Sequence, residues 1–93
     1  MLTEEAETVA LRALAFVAAD ERRLRGLLLR SGIDFETLRA RADDPAVLAG
    51  VLDHLLSDEA AVLAFCEQEG LEPTTPARAR ALLPGGPSSR HLP

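Results

Sequence analysis

Few side chains in this sequence have the capacity for chemistry. They are a single cysteine, Cys66; the histidine His54, with His91 near the C-terminus; three adjacent acid pairs; and an arginine group from Arg22 to Arg30. A nucleophilic Cys66 needs a depressed thiol pKa and a nearby base. Its spacing from Val62 instead places it on an apolar helix stripe, next to Glu67 and Glu69, whose charges disfavour a thiolate. Cys66 therefore reads as a buried structural cysteine, a common fate of free thiols.

His54 follows Asp53 and stands four residues before Asp58, so a histidine–aspartate contact at i, i+4 is available. Such a pair does acid–base work or ligates a metal. His91 falls in the C-terminal tail, however, and a zinc site from His54, Cys66 and carboxylates lacks known ligand spacings. The sequence predicts a solvent-exposed His54 paired with aspartate.

The acid pairs Asp20-Glu21, Asp43-Asp44 and Asp58-Glu59 offer carboxylates to a cation. Each also stands at the start of an apolar-periodic segment. There, capping and the helix dipole account for it, with a contribution of about 0.5–2 kcal/mol for a cap. Capping is the preferred reading. Arg22, Arg23, Arg25 and Arg30 suit phosphate or an acidic protein surface, or form the solvated face of a helix. Gly85-Gly86 lacks the Lys-Ser/Thr and strand context of a phosphate loop. No catalytic, metal-binding or cofactor-binding residue is assigned, and no cofactor is expected.

The elements that would position these residues follow from an internal duplication. Sliding the chain by 38 residues lays Asp20-Glu21 on Asp58-Glu59 and Gly32-Ile33-Asp34 on Gly70-Leu71-Glu72. Val9, Leu14 and Thr37 land on Val47, Leu52 and Thr75, and Val17, Leu24, Leu27 and Leu28 land on Leu55, Val62, Phe65 and Cys66. A unit of this size cannot bury its apolar face alone, so two copies must pack together.

Thr3 is the expected cap of a first helix that runs to about Ala19 and is apolar nearly all round except at Arg12. Asp20 caps a second helix, with Leu24, Leu27 and Leu28 on one stripe and Gly32 as its left-handed stop. Ile33 and Leu38, flanking the cap Asp34, form a hydrophobic staple at the start of a short third helix ending near Ala42. Asp44-Pro45 opens a fourth helix striped by Val47, Leu48, Val51, Leu52, Leu55 and Leu56, with Gly50, Asp53, His54 and Ser57 opposite. Ser57 or Asp58 caps a fifth helix that Gly70 ends. Thr75-Pro76 opens a last short one reaching Leu82 or Leu83.

Ninety-three residues suit one domain. We divide the chain into a helical domain over 1–83, with halves 3–42 and 44–83, and a tail over 84–93 whose composition predicts disorder. The fold class is all-α, a compact bundle of five to six short helices built as two related helical hairpins. Seventeen leucines and only three aromatics suit such a core.

The net charge of −5 resides entirely in residues 43–93, and Asp53 to Glu72 carries six acids and no arginine. That balance repels phosphate backbones and argues against a nucleic-acid partner. No basic leader precedes the first acids, and the apolar stretch Val9–Ala19 falls short of the roughly 20 residues of a membrane span. A lone cysteine fits a reducing compartment, so the expected location is the cytoplasm.

The runs Ala13-Leu14-Ala15-Phe16 and Ser31-Gly32-Ile33-Asp34, the pair Asp58-Glu59, the triplet Phe65-Cys66-Glu67 and Gly70-Leu71 together resemble a family of short alphaproteobacterial proteins known only as a domain of unknown function. The resemblance covers about residues 3–83. It implies a bacterial, cytoplasmic helical protein and assigns no site residue. From the residues themselves, the leading reading is a non-catalytic protein–protein interaction or adaptor module. It would engage a protein partner or form a homodimer through helix 1, whose apolar side chains outnumber what one neighbour covers. A small enzyme or ligand-binding protein using His54 and Cys66 is the alternative, and DNA binding through Arg22–Arg30 is a third reading that the acidic second half opposes.

Overall fold

The computed structural model describes residues 1–85 and contains, in chain order, α1 (Thr3–Ala18), α2 (Glu21–Ser31), α3 (Phe35–Ala40), α4 (Pro45–Leu56), α5 (Glu59–Glu69) and α6 (Thr75–Ala81). No strand occurs among the described residues. Helix α1 packs on α2, α4 and α6, and α4 in turn packs on α2, α5 and α6. The two longest helices, α1 and α4, thus make the central contact of the bundle, and the shorter helices pack around them on α4's side of that contact and along one stripe of α1.

Aspartates start four of the six helices. The Asp20 carboxylate accepts the backbone N–H groups of Arg22 and Arg23 at 2.9 and 3.1 Å, and Asp58 accepts those of Ala60 and Ala61 at 3.1 and 3.3 Å. Asp34 accepts from Thr37 and Asp44 from Ala46. Each bond satisfies a donor that the helix itself leaves unpaired.

The first helix departs from this scheme. Thr3 is already helical, and Leu2 occupies the cap position in extended conformation with no side-chain bond of its own. The Glu5 carboxylate reaches back to accept the Leu2 N–H at 2.6 Å, which is one arm of a capping box. A correctly spaced glutamate therefore replaces the expected threonine cap.

Gly32 and Gly70 end α2 and α5 with φ of 74° and 69°, the left-handed stops that the sequence spacing calls for. Helices α2 and α5 are each eleven residues long. For α2 and α5 the correspondence thus extends from sequence to caps, lengths and stops, whereas α1 has 16 residues behind Leu2 and α4 has 12 behind the capping Asp44. Helix α3 ends at Ala40, two residues before expectation. Ile33 and Leu38 line one apolar cleft, together with Leu27, Val47 and Val51, as the staple requires.

Helix α1 buries a single stripe: Ala6, Val9, Ala10, Ala13, Phe16 and Val17. Its other apolar residues do not share this fate, since Leu14 is half-buried and Leu11 is 45% exposed. The more completely covered helix is α4, in which no residue from Val47 to Leu56 is exposed. Phe16 and Phe65 meet edge to face in the core, with ring centroids 5.5 Å apart, and join α1 to α5.

Contacts with the bundle continue past α6 to Leu83 and the residues after it. Leu83 is buried, and Pro84 and Gly85 form a turn in which the Arg80 guanidinium donates to the Leu83 and Pro84 carbonyls. The rest of the expected tail, residues 86–93, lies outside the described residues.

Three glycines separate two physical effects. Gly32 and Gly70 have open space where a Cβ would stand, so alanine there meets only the backbone penalty of the left-handed region. Gly50 has equally open space but lies inside α4 with ordinary helical φ. Gly32→Ala and Gly70→Ala are each expected to destabilise by about 1 kcal/mol, and Gly50→Ala to stabilise by up to about 1 kcal/mol. Urea denaturation of the three variants checks both signs.

Candidate functional site

The repeat brings the N-terminal ends of α2 and α5 to the same place. An open cleft of about 520 Å³ lies between them, with Asp20, Arg22 and Arg23 on one wall and Ser57, Asp58 and Ala61 on the other. Val17, Gly26, His54 and Leu55 complete its lining. Among the groups that the sequence marks as capable of chemistry, it holds His54, Asp20, Asp58, Arg22 and Arg23.

The charges in the cleft are largely committed. Arg23 Nη1 lies 3.3 Å from Asp20 Oδ2, while the same guanidinium stacks over the Phe16 ring at 4.7 Å from its centroid. The Asp20 carboxyl is held below its ordinary value. The Arg23 backbone N–H contributes most, then that of Arg22, then the two guanidinium charges, against an opposing desolvation. Asp58 is engaged with the α5 amides. Arg22 makes no ion pair among the described residues.

His54 differs from the sequence-based expectation. It is half-buried instead of solvent-exposed, and it pairs with neither neighbouring aspartate. Two competitors remove those partners. Arg80 takes Asp53 through a two-point contact, Nε to Oδ1 at 2.7 Å and Nη2 to Oδ2 at 3.2 Å. Helix capping takes Asp58. The imidazole Nδ1 is buried without a hydrogen-bond partner, and the Cε1–Nε2 edge lies against Gly26. A Cβ on Gly26 would stand 3.2 Å from His54 Cε1.

Gly26 is the residue that the sequence reading passes over. A glycine inside a helix costs about 1 kcal/mol relative to alanine, and that cost points to a packing reason. Here the reason is close passage of the histidine ring across α2.

Cys66 does not line this cleft. It is buried in the core on α5, where its spacing from Val62 puts it, and burial pushes its thiol above the ordinary range. The cleft therefore holds His54 without Cys66. Ser57 is no closer to activation, because its hydroxyl donates to the His54 carbonyl at 2.6 Å and so serves the end of α4. No group of three or more potential metal ligands occurs among the described residues. The acid pairs are separated by their roles as caps. What remains is a polar cleft with an imidazole, an uncommitted guanidinium and a floor of Val17, Leu55 and Ala61.

The arginine group divides in the same way. Arg23 belongs to the cleft, Arg25 contacts Glu21 one turn away, and Arg22, Arg25 and Arg30 are exposed. No helix among the described residues is long and apolar enough to cross a membrane.

The chain belongs to the family described as "Protein of unknown function (DUF3572)", whose sequence profile matches residues 3–86. This agrees with the resemblance carried by the Ser31-Gly32-Ile33-Asp34 and Phe65-Cys66-Glu67 segments. No curated protein and no solved structure matches the chain.

Two expectations follow from the titrating groups. The carboxyls of Asp20, Asp34 and Asp44 are all held below 3.8: Asp20 first by the Arg23 amide, Asp34 by the Thr37 amide, and Asp44 by the Arg41 guanidinium. A depressed native value means that the charged form favours the fold. The stabilisation is therefore complete above the unfolded value and is lost as pH falls through the native values beneath it. Asparagine keeps the capping acceptor but does not titrate. The triple variant Asp20→Asn, Asp34→Asn, Asp44→Asn should accordingly lose less stability between pH 5 and pH 2 than the unaltered chain in urea titrations.

The second concerns Cys66. A buried thiol shifted upward should label with a thiol reagent far more slowly in the folded protein than in denaturant. Equal rates in the two states would show it to be open to solvent.

Proposed function

We propose that this protein is a non-catalytic interaction module whose docking face is the outer side of α1, with homodimerisation the simplest form. The observation that carries this reading is Leu11, 45% exposed at the middle of α1 although the inner stripe of that helix is fully used by the core. Ala15 and Ala18 follow at i+4 and i+7 and are also exposed, and Met1 and Leu2 precede them. Small side chains on one face let a second helix approach closely, and a central leucine supplies apolar area to bury. A cytoplasmic setting suits the reading, since the lone thiol has no pairing partner within the chain.

The second reading is ligand binding in the His54 cleft. It is favoured by the buried, unpartnered Nδ1 and by the glycine that admits the ring. It proceeds without Cys66, which the cleft does not contain.

Leu11→Asp separates these two. An exposed position tolerates the change within about 0.5 kcal/mol, so the variant should fold normally by circular dichroism. At high salt, where weak contacts between exposed charges are screened, sedimentation at micromolar concentration should show a dimer for the unaltered chain and a monomer for the variant. A monomer in both cases, at every concentration tried, would remove the homodimer.

A further inference from the structure

Helices α2 and α5 have equal length, equivalent caps and equivalent stops, so their outward faces have the same extent and angular position. Opposite the buried Leu27, α2 turns out Arg22, Arg25 and Leu29. Opposite the buried Phe65, the matching positions of α5 turn out Ala60, Leu63 and Glu67. The two faces are one shape carrying opposite chemistry.

Neither face is satisfied within the chain. Leu29 is 78% exposed and Leu63 48% exposed. Arg22 and Glu67 make no ion pair among the described residues, and Arg25 contacts only Glu21 at 3.7 Å, on an open helix surface. Arg25 and Arg22 place two positive charges one and two turns before Leu29. On α5 the negative charge of Glu67 comes one turn after Leu63.

We propose that these faces are the two halves of one contact between copies of this chain, with the Arg22–Arg25–Leu29 face of α2 docking antiparallel on the Ala60–Leu63–Glu67 face of α5 in a second copy. The direction follows from spacing. Seven residues separate Arg22 from Leu29 and Ala60 from Glu67, a rise of about 10.5 Å in either helix. Antiparallel alignment sets Arg22 against Glu67 and Leu29 against the small Ala60, with Leu63 between them beside the apolar stem of Arg25. Parallel alignment instead sets Leu29 against Glu67 and Arg22 against Ala60, so neither charge meets its opposite.

The leucines supply apolar burial, while the charges fix direction and reject like pairings. Exposed ion pairs add little energy and are screened by salt, so the contact is weak and salt-sensitive. This contact does not involve α1 and stands independently of the α1 reading.

The test is made on the Leu11→Asp background, so that an α1 contact does not contribute. One variant, Arg22→Glu with Arg25→Glu, reverses the α2 face; another, Ala60→Arg with Glu67→Arg, reverses the α5 face. All four substituted positions are exposed, and circular dichroism verifies that each variant is folded. Sedimentation of the background protein at low salt should show association that weakens by about tenfold or more at high salt. Each face variant alone should be monomeric, and an equimolar mixture of the two should associate again, because each supplies the sign the other lacks. A monomeric background protein at low salt, association that survives face reversal, or a mixture that stays monomeric would each overturn the proposal. Binding of the Arg22–Arg25 face to duplex DNA by a protein that remains monomeric would overturn it in favour of a phosphate partner.

Discussion

The structure depends on enclosing α4. From Val47 to Leu56 this helix presents no exposed residue, yet it carries Asp53 and His54 as well as its leucines. Burying Leu48, Val51, Leu52 and Leu55 together supplies the apolar area, of the order of 1.5–3 kcal/mol for each large side chain. The two polar residues must then be accommodated by whatever covers that side. Arg80 on α6 does so for Asp53, and Gly26 on α2 does so for His54. The same Arg80 guanidinium donates to the Leu83 and Pro84 carbonyls, so closing α6 over α4 also holds the turn at Pro84 and Gly85. An isolated surface ion pair would contribute little. This one gains from a guanidinium side chain only 14% exposed and from four hydrogen bonds made by one group.

The duplication explains why a cleft exists at all. Caps 38 residues apart start α2 and α5 at one end of the bundle, and the first helix of each half sends a ring toward the second helix of the other. Phe16 and His54 are matched positions of the repeat. Phe16 meets Phe65 on α5, whereas His54 meets Gly26 on α2, one position from the match of Phe65. The phenylalanine fills its crossing with a second aromatic, and the core closes there. The histidine crosses at a glycine, next to two capping carboxylates and two arginines, and an open space remains. One substitution at equivalent repeat positions thus marks the difference between a packed crossing and a polar cleft.

Much of the fold was legible because it rests on local rules. An aspartate before an apolar stripe, a glycine after it and a proline at its first position act within a few residues, and Asp20, Asp34, Asp44, Asp58, Gly32 and Gly70 all behave accordingly. Cys66 was legible for the same reason, through its spacing from Val62. His54 was not, since its surroundings depend on Arg80, 26 residues away, outcompeting it for Asp53. Helix α1 misled because Arg12 is the one polar residue in its second half, from Val9 to Ala18, while α4 has two that a helical projection assigns to solvent. Counting apolar positions measures what a helix is able to bury; what it does bury is set by the number of neighbours. Gly26 offered a signal, an unexplained glycine inside a helix, that composition alone could not interpret.

The charge asymmetry of the chain has its structural meaning on the outside of the repeat. At the matched inward positions both halves keep large apolar groups: Leu27 and Phe65, Val17 and Leu55, Leu28 and Cys66. At three matched outward positions the residue types differ, with Arg22, Arg25 and Leu29 standing where the second half has Ala60, Leu63 and Glu67, while the exposed pair Glu21 and Glu59 is kept. Packing constrains the inner set, because a change of volume in a close-packed core is costly, and leaves the outer set open to change sign. A single exposed leucine is ordinary on a protein surface, so the two faces are distinguished by the charges beside it: Leu29 follows two arginines and Leu63 precedes a glutamate. In the proposed contact between copies, the inner set would hold the shape of the two helices constant while the outer set supplies charges of opposite sign.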